Sequence, residues 1–255
     1  MNDPNSPTMW IYRDKRLHAL RAPGNSCLNA IRTSPTGGTM QQPVNNSKGC
    51  GTVMRAAPFG LAASAGRGDG TLAVHKMAAC DAALTHGHEL AWASSSLLAQ
   101  IIYYIVQQYP DRGYRLELVI PHVRCPGDET ARQLLERAVK LALNPAVSDL
   151  DGIHALGEGW VAEEALAIAV FCAVRYQNDF AAAIRAAVNH KGDSDSTGAI
   201  CGNILGAWLG KEAVEQAFDL DIWSCGIWWK TWRTSCLRQW RAASPGRGPS
   251  PSRSR

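Results

Sequence analysis

Val161-Ala162-Glu163-Glu164-Ala165-Leu166-Ala167-Ile168-Ala169-Val170-Phe171-Cys172-Ala173-Val174-Arg175 decides the fold class. The stretch is rich in alanine, and its apolar side chains fall on every side of a 3.6-residue turn. A helix that is apolar almost all round has no face to give to water, so it belongs at the centre of a helical domain. Its neighbours must be helices that each bury one face against it. Residues 179–188 and 196–209 supply two such segments on the C-terminal side.

Upstream, residues 128–143 read as an amphipathic helix, with Asp128 placed as N-cap and Leu134, Leu135, Val139 and Leu141 at helical spacing. Residues 81–106 read as two helices or one interrupted helix, and the run Ala93-Ser94-Ser95-Ser96 permits close packing. Residues 1–51 are rich in Pro, Gly, Asn, Ser and Thr, with short helical pieces expected at 12–20 and 27–32. Period-two alternation is confined to residues 114–120. The expected class is all-α, without internal repeats.

The 255 residues suffice to bury a core, and a 46% hydrophobic content is ordinary for a globular chain. The net charge of +4 is concentrated: residues 233–255 hold six arginines and no acid, so the rest is close to neutral. No specific nucleic-acid footprint follows. Eight cysteines form no CxxC pair, and several lie in apolar runs, which favours a reducing compartment. With no basic-then-apolar leader and no apolar run near 20 residues, the expectation is a cytoplasmic monomer without a membrane span.

Glycines at 198, 202, 206 and 210 share one face of the helix expected over 196–209, a stripe that lets a neighbouring backbone approach. The segment Gly192-Asp193-Ser194-Asp195-Ser196-Thr197 leads into that helix. Two readings stand for it. Asp193, Asp195 and Ser196 can cap free N–H groups, or they can gather three oxygens for a hard cation such as Mg²⁺. A second segment, residues 43–58, is a small-residue loop entering an apolar helix. Its N–H groups from Gly49 to Thr52 can cradle a phosphate, although it lacks the Gly-Lys-Ser/Thr of a P-loop, and a plain turn fits as well. In a third, Thr85-His86-Gly87-His88-Glu89, His86 can donate to a phosphate. His88 and Glu89 diverge by about 100° on a helix and chelate poorly.

Taken in order, Arg21-Ala22-Pro23-Gly24-Asn25-Ser26-Cys27-Leu28, the 45–58 loop, Thr85-His86-Gly87-His88, residues 157–166 and residues 189–207 resemble the ADP-ribosylglycohydrolase family. The resemblance spans roughly residues 10–220. It implies a compact orthogonal helical domain over residues 1–220, and hydrolysis of the anomeric bond of ADP-ribose on proteins or small compounds. It implies that Asp193, Asp195 and Ser196 match a motif holding a binuclear Mg²⁺ centre. It also implies that Ser47, Lys48, Gly49, Cys50, Gly51, Thr52 and Met54 surround ADP-ribose, with His86 beside them.

Two departures shape the expectation. The family's early catalytic acid and its Thr-Asp-Asp motif have no counterpart, since Asp3 and Asp14 sit in no such motif. An N-terminally truncated member is expected, with weak Mg²⁺ binding, little hydrolysis and no catalytic residue assigned. A non-catalytic ADP-ribose-binding module and an inactive remnant are the alternatives. Five of the nine tryptophans lie between 223 and 240, ahead of the Arg/Ser/Pro-rich end. Read one base out of frame with a choice of permitted codons, this stretch encodes an acidic amphipathic helix, so a frameshift near residue 220 and a disordered tail over 221–255 are expected.

Overall fold

The computed structural model describes residues 22–34, 36–64, 70–108 and 114–218, with positions 15 and 18. The expected tail over 221–255 and most of the expected helix at 12–20 lie outside the described residues.

Residues 1–210 form one compact unit. Its helices are α1 (Asn25–Thr33), a 3₁₀ turn (Cys50–Arg55), α2 (Ala57–Ser64), α3 (Thr71–Ala83) and α4 (Glu89–Gln108). They are followed by α5 (Glu129–Ala142), α6 (Asp149–Leu156), α7 (Ala162–Arg175), α8 (Phe180–Val188) and α9 (Ser194–Leu209). The second unit, residues 211–255, contains α10 (Lys211–Ala217), in which Lys211 pairs with Glu215 one turn on. The protein is all-α. The β-pairing among the described residues is a single isolated bridge, Gly49 to Val161.

Helix α7 is the centre. Every side chain from Ala162 to Val174 except Glu164 is buried, and α4, α5, α6, α8 and α9 all pack on it. Burying Leu166, Ile168, Val170, Phe171 and Val174 contributes about 1.5–3 kcal/mol each before chain entropy is counted. Helix α4 is apolar enough in length and composition to cross a membrane, yet about two-thirds of it is buried within this unit. Of its buried polar side chains, Ser94 Oγ has no hydrogen-bond partner among the described residues, and the others are satisfied. Ser95 and Ser96 donate to carbonyls one turn back, and Gln100 bonds both the N–H and the carbonyl of Arg124.

Several local expectations change. The 81–106 segment is two helices, but the first begins at Thr71, so Asp81 lies in the last turn of α3. Asp128 precedes α5 without capping it; its carboxylate closes the preceding turn by accepting from Cys125 N at 2.8 Å. The buried face of α5 is Ala131, Leu135, Ala138 and Ala142, which lets α7 approach closely. Residues 114–120 are not a strand. Leu116–Leu118 and Ile120–His122 are 3₁₀ turns that bury Leu116, Val119, Ile120 and Val123 at spacings of three and four, leaving Leu118 exposed.

The glycine stripe also resolves differently from its expected role. A β-carbon on Gly198 would strike Val188 Cγ1 at 2.5 Å, and one on Gly202 would rest 3.6 Å from Ile184 Cδ1, so α8 approaches with side chains rather than backbone. Gly210 ends α9 at φ +83°. Gly206 meets no described atom within 4 Å of such a carbon. Gly206→Ala is therefore expected to stabilise the protein by about 0.5–1 kcal/mol, through helix propensity alone. Urea denaturation checks this, and a destabilised variant would contradict it.

Candidate functional site

The loop before the 3₁₀ turn is held from two sides. On one side, Asn45 is a hub: its Oδ1 accepts from Ser47 N (2.9 Å) and Gly87 N (3.0 Å), and its Nδ2 donates to Thr85 O (2.8 Å). Ser47 O in turn accepts from His88 N, and Ser47 Oγ lies 2.8 Å from Ser26 Oγ of α1. On the other side runs the segment entering α7. Ala162 N donates to Lys48 O (2.8 Å), Cys50 N to Trp160 O (3.3 Å), and Gly49 bridges Val161. The same segment reaches α9, because Asp193 N donates to Glu158 O at 2.8 Å. Residues 158–162 thus form the strip that joins the loop to the aspartate motif.

His86 lies against this loop and is 2% exposed. A β-carbon on Gly49 would stand 3.2 Å from its Nε2, and one on Gly51 3.9 Å. Trp92 Nε1 donates to His86 O at 2.6 Å, and Thr85 Oγ1 lies 2.9 Å from Nδ1. That hydroxyl already accepts from Arg55 Nη2 at 3.0 Å. Giving its own hydrogen to Nδ1 leaves the ring proton on Nε2, a tautomer assigned from the network. Nε2–H then faces Gly49 and Gly51 as a donor suited to an anionic oxygen. Arg55 completes the support through Nε to Asp81 Oδ2 (2.7 Å) and Nη2 to Asp81 O (2.8 Å). His88 takes the bland role: its Nδ1 accepts from Leu90 N at the start of α4.

Burial, with the Arg55 charge adding to it, lowers the His86 pKa to about 4. The ring is neutral at pH 7. Above pH 6.5 folded and unfolded chains carry the same proton count here, so the contribution is complete. Between 6.5 and about 4 only the unfolded chain gains the proton, and on the order of 3 kcal/mol of stability is lost as the pH falls. Denaturation at pH 7 and pH 4.5 checks this. A His86→Gln protein that loses as much stability as wild type would remove His86 as the cause.

The aspartate motif divides. Helix α9 begins at Ser194, two residues earlier than expected, so Asp195 and Ser196 lie in its first turn. Asp193 occupies the N-cap position without a side-chain capping bond. Its Oδ2 instead accepts from Cys50 Sγ at 2.7 Å, and Cys50 Sγ lies 3.3 Å from Ser196 Oγ. Asp193 and Ser196 are buried, whereas Asp195 is exposed. Burial raises the Asp193 pKa, and the neighbouring Asp195 carboxyl adds to that while the Cys50 and Ser196 bonds oppose it. Burial first, and the Asp193 bond second, push the Cys50 thiol up to about 12, so it stays a neutral donor.

Mg²⁺ takes six oxygens in near-octahedral geometry. Among the described residues no three His, Cys, Asp or Glu side chains converge. Asp193, Asp195 and Ser196 come from one turn, and a thiol rests on the best-placed oxygen. This set does not fit Mg²⁺ unaided.

The remaining expected ligand residues are dispersed. Thr52 is buried and donates to Ala91 O at 3.5 Å, and Met54 O accepts from Asn203 Nδ2 at 3.1 Å, so both tie the 3₁₀ turn to its neighbours. Gly49 N donates to Ser47 Oγ (3.3 Å) and Cys50 N is taken by Trp160, which narrows the amides available to an anion to the start of the turn at Gly51. Lys48 pairs with Glu163 Oε1, while Glu163 Oε2 is buried with no partner. A buried acceptor left unpaired costs about 1–3 kcal/mol, more when charged. Asn45 and Glu163 were not among the contacts expected from sequence. Glu163 had a signal, as an acid inside a helix apolar almost all round.

The family model of the ADP-ribosylglycohydrolases matches residues 6–229. The chain belongs to the ADP-ribosylglycohydrolase family. The matched range includes the loop, His86, the strip and the aspartate motif. Among curated proteins none matches the chain.

Proposed function

We propose that this ADP-ribosylglycohydrolase-like chain binds ADP-ribose, free or attached to protein, on the 47–52 loop, and hydrolyses the anomeric bond slowly or not at all by itself. One observation carries the binding: the neutral His86 presents Nε2–H to Gly49 and Gly51, with Thr85 on its Nδ1, Arg55 bonded to Thr85, and Trp92 on its main-chain carbonyl. A diphosphate oxygen complements that donor and the start of the 3₁₀ turn. Weak turnover follows from the motif, where the Cys50 thiol competes for Asp193 and Asp195 turns outward.

Three measurements on the same protein test the reading. ADP-ribose at a hundred times its Kd should stabilise the fold by about 2.7 kcal/mol, seen as a raised Tm. Titration calorimetry should give a Mg²⁺ affinity no tighter than millimolar. ADP-ribosylated arginine peptide should release little ADP-ribose. An unchanged Tm sinks the binding proposal, and micromolar Mg²⁺ affinity with turnover replaces it by an active hydrolase.

A further inference from the structure

Glu163 is the one carboxylate among the described residues with a buried oxygen that has no hydrogen-bond partner, and the residue is more than nine-tenths buried. Its place is fixed. Oε1 takes the Lys48 ammonium, Ala162 N donates to Lys48 O, and Val161 bridges Gly49, so the carboxylate stands against the loop that the ADP-ribose reading assigns to the diphosphate. It also lies in the first turn of α7, where unpaired helix N–H groups favour an anion.

A carboxylate oxygen only accepts hydrogen bonds. Oε2 therefore complements a hydroxyl or an N–H and repels phosphate oxygens, the opposite of what His86 Nε2–H offers beside Gly49, the residue that follows Lys48. A ligand that meets both carries phosphate oxygens next to hydroxyls, as a ribosyl phosphate does. We infer that Glu163 is a ligand-binding residue whose Oε2 accepts a hydrogen bond from a ribose hydroxyl of the nucleotide on the loop. Lys48 is then a positioning residue: it holds Glu163 in place rather than giving a free charge to the phosphates. The inference rests on the proposed ADP-ribose binding.

The test is a coupling cycle between protein and ligand. Affinities are measured for ADP-ribose and for analogues that each lack one ribose hydroxyl, on wild type and on Glu163→Gln. One analogue should bind wild type about ten- to a hundredfold more weakly than ADP-ribose, the range of a hydrogen bond to a charged group. Glu163→Gln should weaken ADP-ribose by a similar factor and leave that analogue unchanged. Glu163→Asp keeps the charge but withdraws it by one methylene, and it gives the same pattern if the Gln variant fails to fold. A variant that weakens every ligand by one common factor, or none, overturns the inference and leaves Glu163 as a buried counter-ion. Wild type that fails to bind ADP-ribose removes the binding proposal itself.

Discussion

Gly87→Ala is expected to destabilise the protein by about 3 kcal/mol or more, at the upper end of overpacking effects, and to weaken ADP-ribose binding at least tenfold. The position has no room for a β-carbon. One built there would fall 1.8 Å from Asn45 O and 2.6 Å from Pro43 Cβ. The first of these is main chain, so no rotamer change relieves it; the 43–47 segment must retreat. That retreat breaks the Gly87 N to Asn45 Oδ1 bond, and with it the clamp holding the loop to Thr85 and His86. For a chain of this size the Tm should fall by roughly 6–12 °C. Thermal melts and calorimetry with ADP-ribose measure the two effects. A variant melting within about 2 °C of wild type would show that the loop yields cheaply, and that its contact with His86 is not rigid.

Arg55→Met is expected to cost about 2–3 kcal/mol and to raise the pKa of His86. The guanidinium spans Asp81 and Thr85 with three hydrogen bonds, joining the end of the 3₁₀ turn to the end of α3. Removing it strands the Asp81 carboxylate, which is three-quarters shielded from solvent. Methionine keeps the apolar stem, so the loss reports the charge and the fork rather than packing. The Arg55 charge is the second cause, after burial, of the low His86 pKa, so that pKa should move upward without reaching 6.5. NMR titration of the imidazole measures the shift. An unchanged titration would separate Arg55 from the site electrostatics and leave it a purely structural tie.

The proposed reading treats the aspartate motif as less than a metal centre. On spacing alone Asp193, Asp195 and Ser196 fit a cap better than a cation site, and the family resemblance reverses that order. The fold supports neither in simple form. Asp193 does not cap, since its carboxylate turns to a thiol from a segment 143 residues earlier in the chain. Asp195 alternates with it along the chain, but it sits in the first turn of α9, where it faces water while Ser196, about 100° further round, faces in.

What the sequence by itself determined was everything carried by local period. The all-round apolar pattern of residues 161–175 placed α7 at the core, and the ordered segments from the 45–58 loop to the 189–207 stretch pointed to the family that the chain belongs to. Local period fixes which way a side chain leaves its own helix. It does not fix which segment arrives opposite, and that was left to the tertiary structure. Docking of the 158–162 strip between the loop and α9 set Cys50 on Asp193, Lys48 on Glu163 and His86 beneath Gly49, pairings between groups from 37 to more than 100 residues apart in sequence. A buried polar atom takes whichever partner the packing brings, because leaving it bare costs more than any local preference it overrides.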